Sequence, residues 1–206
     1  MPSLKEVKIR INSVSSTRKI TSAMKLVASS KLHKAQTAIE NMRPYQRSLD
    51  GMMSRFVGEL GEEIPSPYVQ VRPVRNAVVL CISSNSSLCG AFNSNVIKGA
   101  QNAIAELQAQ NVENIEVIPI GAKIAEKMAK MGFKFKSNNS AILDKTQYAD
   151  VAEIASELMT KYENGEVDKV ILVYNHFKNT ATQIVTTEAL LPVDLSGVQA
   201  ASAEKT

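Results

Sequence analysis

The 206 residues suffice for one ordinary domain, or for one domain carrying a long appendage. At 44% apolar and 21% charged residues the chain can build a core and is too apolar for a disordered protein. No apolar run approaches the roughly 20 residues that a bilayer-spanning helix needs, and the opening MPSLKEVKIRINS lacks the apolar stretch of a secretory signal. Two cysteines, Cys81 and Cys89, are too few for a disulfide scaffold or a structural zinc site, and two histidines make a poor start for a metal centre. The expectation is a cytosolic chain without a metal or cofactor.

The net charge of +4 is unevenly spread. Residues 1–47 hold ten basic side chains against Glu6 and Glu40, a net of +8, which leaves −4 for the remainder. A basic segment on a mildly acidic body implies two parts with separate roles, the first facing an acidic or polyanionic partner.

Residues 1–57 read as one long helix. Leu4, Val7, Ile11 and Val14 follow the 3,4 spacing of a heptad seam. The rule breaks at Arg18, the apolar positions shift through Ile20, Met24 and Ala28, and the spacing resumes from Leu32 through Ala35, Ile39, Met42, Gln46, Leu49, Met53, Phe56 and Leu60. A helix of about 55 residues is about 80 Å long, more than the diameter of a domain of this size. Pro44 is expected to kink it or remove one backbone bond. The stretch ITSAMKLVASSKL at 20–32 is rich in small residues and suits close approach by another helix, and a lone helix of this kind is marginal without one.

Residues 58–76 hold two glycines and three prolines and read as a linker. Then the period changes. AVVLCI at 77–82 is a short β-branched run, the pattern of a strand buried on both faces. A helix follows over 94–110, a strand over 115–120 whose Pro119 suggests a sheet edge, a helix over 122–131, a short strand at 133–136 and a helix over 147–162. The run VILVY at 170–174 is a further strand, and 183–191 returns from it as a hairpin. Alternating strands and helices predict a mostly parallel, Rossmann-like α/β domain over 77–195 with one antiparallel strand. The small polar residues 196–206 read as a flexible tail.

Such a fold binds nucleotides on a glycine-rich turn after its first strand. Here that turn is SSNSSLCGAFN at 83–93, with one glycine, neither dinucleotide fingerprint nor P-loop, and Gly121 where the second strand would offer a ribose-binding carboxylate. Asn85, Ser86 and Ser87 read as loop chemistry. Cys89 precedes a helix but has no histidine near it in sequence; Cys81 reads as core, His176 as a surface or cap residue, and Glu153 and Glu157 as helix-face charges. No catalytic constellation emerges.

The opening SLKEVKIRINSVSSTRKITSAMKLVASSKLHKAQ with RPY at 43–45, the loop SSNSSLCGAFN, and VDKVILVYNHFKNTATQIVTTEALLP at 167–192 together resemble the gamma subunit of F-type ATP synthases. The family's loop usually reads S-D-(R/K)-G-L-C-G-x-F-N. Asn85, Ser86 and Ser87 replace its acidic, basic and glycine positions, while Leu88, Cys89, Gly90, Phe92 and Asn93 match. The resemblance implies a non-catalytic central-stalk rotor. Its partners would be the alpha and beta subunits of the F1 ring, the epsilon subunit and the membrane c-ring. It further implies a peripheral position on the cytoplasmic face of a bacterial inner membrane and coupling of ion flow to conformational change at the catalytic sites. It also implies a second long helix beyond position 206, pairing with the first.

Carried onto this sequence, Ile20, Met24, Val27 and Ala28 are expected to serve helix pairing and ring contact, and Arg10, Arg18, Lys19 and Lys25 to face acidic loops of the beta subunits. Two other readings follow from the residues alone. A basic helical nucleic-acid binder fits the charge but not the apolar seam, nor the absence of any aromatic before Tyr45. An enzyme on a Rossmann-like body would require a deep pocket at the 83–93 loop.

Overall fold

The structure, a computed structural model, describes residues 3–60 and 66–194. The anticipated tail at 196–206 and the 61–65 part of the linker lie outside the described residues. The chain divides at Glu59 into two compact units, one made by the amino-terminal helix and one by the α/β body.

The first unit is helix α1, Leu4–Leu60, 57 residues long. A capping box starts it: Glu6 N donates to Ser3 Oγ at 3.3 Å, and Ser3 N donates to Glu6 Oε2 at 3.0 Å. Hydroxyls inside the helix bond to the preceding turn, Thr17 to Ser13 O, Thr21 to Thr17 O and Thr37 to His33 O. Their polar groups are therefore satisfied without competing for the helical backbone. The helix is continuous through Pro44 and runs three residues beyond the expected end at 57.

Counting in alternating steps of 3 and 4 from Leu4 reaches Leu60 without a slip, because Arg18, Thr21 and Lys25 occupy the positions between Val14 and Ala28. The seam expected to break at Arg18 therefore keeps one register and changes chemistry instead. Leu4, Val7, Ile11, Val14, Leu32, Met42, Leu49, Met53 and Phe56 along it are exposed.

The second unit is a four-stranded sheet in the order β2-β1-β3-β4. Its strands are β1, Asn76–Ile82; β2, Asn114–Ile120; β3, Lys169–Phe177; and β4, Gln183–Leu191. Strands β1, β2 and β3 are parallel, and β4 returns antiparallel to β3. Pro119 sits on edge strand β2, where its missing N–H costs no central ladder bond. Helices α2, Phe92–Ala109, and α3, Ala122–Lys130, share one core with Ala77, Val79 and Cys81. Helix α5, Tyr148–Glu163, packs Leu158 and Tyr162 with Val78 and Leu80. Alternate residues of β1 thus feed two cores, which is why its sequence is an unbroken apolar run. Gly99 on α2 lets the helix lie close to the sheet, since a Cβ there would stand 3.0 Å from Val185 and 3.1 Å from Val173.

A further expectation needs correction. Residues 133–136 form no strand: Phe133 and Phe135 turn alternately onto the core, which gives a strand-like sequence pattern without a ladder. The segment begins as the end of α3, where Phe133 N donates to Met128 O and Gly132 N to Ala129 O, with Gly132 at φ 93°. A short helix α4, Ala141–Asp144, follows it unheralded.

The described part of the linker is strapped to the body from a single 3-10 turn at Pro67–Val69 onward. Val193 N donates to Tyr68 O and Tyr162 Oη to Gln70 O, both at 2.8 Å. Arg72 donates to Tyr162 O at 2.6 Å and to Val167 O, and its guanidinium carbon lies 4.3 Å from the Tyr162 ring centroid. Arg72 Nε stands 2.8 Å from Asp168 Oδ1, while Asp168 Oδ2 accepts from Arg75 N and Asn76 N.

Burial alone would raise the Asp168 carboxyl. The N–H donors of Asn76 and Arg75 and the Arg72 charge outweigh it and hold the group below its ordinary value. A carboxyl depressed on folding stabilises the fold above its unfolded value near pH 4, and that stability is lost as pH falls through the folded value. Denaturant titrations of the wild-type body should therefore show stability falling as the pH drops below about 4, a loss that Asp168→Asn removes. At pH 7, Arg72→Ala should cost about 1–3 kcal/mol, because the Asp168 carboxylate keeps its two N–H donors and loses its counter-charge.

Candidate partner interface

All eight rod positions singled out in the sequence are exposed on α1. They do not share a face. At about 100° per residue, Ile20, Met24 and Val27 form a stripe roughly 110° round the helix from the heptad row. Ala28 lies on the row itself. Arg18 and Lys25 also lie on the row, replacing apolar residues, whereas Arg10 falls in line with Met24 and Lys19 on the far side. The rod therefore carries an apolar row with two cations set into it, and beside that gap a second, shorter apolar stripe. The sequence spacing contained this, but only once the polar positions were counted in the same register as the apolar ones.

The 83–93 loop is organised from within. Asn93, on the first turn of α2, accepts from Ser84 N and Ser84 Oγ, both at 3.0 Å, and donates to Ser86 O at 2.9 Å and Cys89 Sγ at 3.2 Å. Asn85 accepts from Ala122 N at 3.1 Å, serving the start of α3, and donates to Ser140 O and Asp144 Oδ1. Ser83 Oγ accepts from Ile124 N at 2.9 Å. These groups hold the 83–93 loop to the starts of α2 and α3.

Gly121 stands at φ 114°, and a Cβ there would meet Ser83 O at 2.6 Å, so no ribose-binding carboxylate fits at the end of β2. Leu88 is different: it is fully exposed at a loop tip with φ 64°, an apolar side chain turned to solvent by Gly90 and its neighbours. Beside it runs an open groove of about 320 Å³, with Lys123, Lys127 and Lys130 on its α3 side. A second cleft of about 640 Å³ follows β2 and the start of α5, lined by Glu116, Asp150, Glu153 and Glu157 among others. Glu157 and Glu116 pair with Lys161, at 3.1 and 3.3 Å.

Among the described residues no three potential ligands gather to hold a metal ion. Among the described residues no helix is long and apolar enough to cross a membrane. His176 is exposed, its ring edge-on to Tyr174 at 6.3 Å.

The chain thus combines a half-buried loop, organised by its own side chains, with a 57-residue helix of exposed apolar residues. A family profile described as ATP synthase matches residues 3–206. The chain is 48% identical over 200 residues to the ATP synthase gamma chain of Bacteroides thetaiotaomicron, covering 96% of this chain and 66% of that one. It is 46% identical over 196 residues to that of Phocaeicola vulgatus, covering 95% and 68%. Among solved structures it is similar to a chain in the central stalk/c-ring of the Tetrahymena thermophila mitochondrial ATP synthase. That match has a TM-score of 0.58 at 25% identity and covers 84% of this chain and 72% of the other. The chain belongs to the ATP synthase gamma chain family, and these relatives indicate a bacterial source. It spans about two thirds of their length.

The two thiols differ sharply in setting. Burial pushes Cys81 up to about 12, whereas Cys89 is half-buried in the loop. A maleimide at pH 8 should modify Cys89 in the folded protein and reach Cys81 only at the rate of unfolding. Two equally fast thiols would contradict this placement.

Proposed function

We propose that this chain is a central-stalk rotor subunit, a non-catalytic chain that couples ion flow to the conformations of catalytic sites on other chains. Carrying this reading is the exposed heptad row of α1 in a member of the gamma chain family. The similarity to a chain from a central stalk/c-ring assembly supports it further. The rod, 1–57 with its last turn to Leu60, is the axle; the α/β unit over 77–195 is the foot.

The partners are the alpha and beta subunits around the rod and the epsilon subunit and c-ring at the foot, placing the assembly on the cytoplasmic face of the bacterial membrane. In mechanical terms, an asymmetric shaft gives each surrounding site a different interaction free energy, so turning it shifts populations among open and closed states. The heptad row takes a partner helix. Ile20, Met24 and Val27, off that row, meet the ring. Arg10, Arg18, Lys19 and Lys25 supply attraction to acidic loops that solvent screening keeps weak enough to release. On the foot, Leu88, Cys89, Gly90, Phe92 and Asn93 form a loop whose exposed tip is Leu88.

The full-length chain should co-purify with alpha and beta subunits. In the assembled complex, Met24→Lys places a charge in a contact built for an apolar group. It should lower the number of ions moved per ATP hydrolysed severalfold while hydrolysis continues. An unchanged ratio would remove Met24 from the ring contact, and failure to co-purify would remove the rotor reading itself.

A further inference from the structure

Strand β2 lies at an edge of the sheet and pairs on one side with β1. Backbone groups alternate in direction along a strand. Ile120 O accepts from Ser83 N at 2.9 Å on the β1 side. On the other side Pro119 O accepts from Asn139 Nδ2 at 3.0 Å and Gly121 N donates to Asn138 O at 2.9 Å. Ile115 and Val117 therefore turn their N–H and C=O groups outward, as Pro119 does its carbonyl. Val117 is 1% exposed, yet among the described residues nothing donates to it or accepts from it on that side. A buried backbone pair in that position costs free energy until it finds a partner.

The chain that leaves α3 runs beside this edge in the same direction as β2. It is fixed at one end by Phe133 N on Met128 O and at the other by the bonds of Asn138 and Asn139. In a parallel pair a residue bonds to the two neighbours of the residue opposite it, so the bond from Gly121 N to Asn138 O sets Asn138 opposite Ile120. Counting back, Phe135 falls opposite Val117 and Phe133 opposite Ile115, and all four side chains already pack in one core. Lys134 and Lys136 are exposed and fall opposite Glu116 and Ile118, on the side where the cleft along β2 carries its carboxylates. Glu116 holds Lys161 there at 3.3 Å. The alternation of phenylalanine and lysine thus matches both faces of β2 in the register that the existing bond sets. The ladder stops behind that bond because Pro119 has no N–H to give Lys136 O.

We infer that residues 133–137 are a segment poised to close onto the outer edge of β2 as an added parallel strand. On closure Lys136 N donates to Val117 O, Val117 N to Lys134 O and Lys134 N to Ile115 O. These bonds satisfy the buried groups of Val117 and narrow the cleft along β2. They also cover an open sheet edge, the kind of surface that otherwise pairs with a strand of another chain.

Amide hydrogen exchange on this chain, read residue by residue by NMR, tests the closure. Lys136→Pro removes an N–H that makes no backbone bond in the open arrangement and that the closed one requires. The Val117 amide should exchange about tenfold faster in this variant than in wild type, while the amides of Met128 and Ala129 within α3 keep their wild-type rates. A disulfide provides the second measurement, in a Cys89→Ser background. Glu116→Cys with Lys134→Cys joins residues that closure sets opposite each other, and it should oxidise about tenfold faster than Glu116→Cys with Lys136→Cys. An unchanged Val117 rate with α3 intact would overturn the closure, as would equal bridge rates or a faster 116–136 bridge. If Lys136→Pro does not fold, or loosens α3 as well, the bridge rates decide alone.

Discussion

The apolar row exposed along α1 is the constraint on which the rest of this molecule depends. A helix gains little from propensity alone, and one of 57 residues with such a stripe is stabilised by a partner that covers it. Each Leu, Ile, Met or Phe of that row is worth about 1.5–3 kcal/mol on full burial, so a partner covering even a few of them fixes the rod. The same row explains why Arg18 and Lys25 matter. Within a continuous register they are two charged positions in an apolar seam, the device by which helices specify where and with whom they pair at some cost in stability.

The α/β unit shows how a nucleotide-binding architecture can be retained without its chemistry. The strand order β2-β1-β3 and the parallel crossovers are those of an open, doubly wound α/β sheet, with β4 added antiparallel. Yet Asn85, Ser83 and Asn93 tie that turn to α2, α3 and the 140–144 segment, and Gly121 leaves no room for an acidic side chain at the end of β2. Fold alone assigns no activity. The loop braces α2, α3 and the 140–144 segment and carries one exposed leucine, Leu88.

Much of this was legible in the sequence because burial on both faces, or on one stripe, leaves a strong period. The run AVVLCI announced β1, Pro119 announced the edge position of β2, and Gln183–Leu191 was legible to the residue as the hairpin partner of β3. Short elements were misread where side-chain alternation and backbone pairing part company. Phe133 and Phe135 alternate onto the core with no ladder, and α4 is too short to show a period. The strap over 66–76 was invisible for a different reason. Its prolines mark extended chain correctly, but what holds extended chain in place is contact over some ninety residues of sequence, from Arg72 to Tyr162, Val167 and Asp168. The rod residues were legible as a set, through family resemblance; their division between two faces required the helix to be laid out as one register.

On the proposed rotor reading, α1 is an axle held by surrounding chains. A cryo-EM map of the intact ATP synthase containing this chain tests it directly. An axle runs along the bore of the alpha–beta ring with the Ile20–Met24–Val27 stripe against ring subunits. A rod lying outside the bore, folded along its own α/β unit, would contradict it.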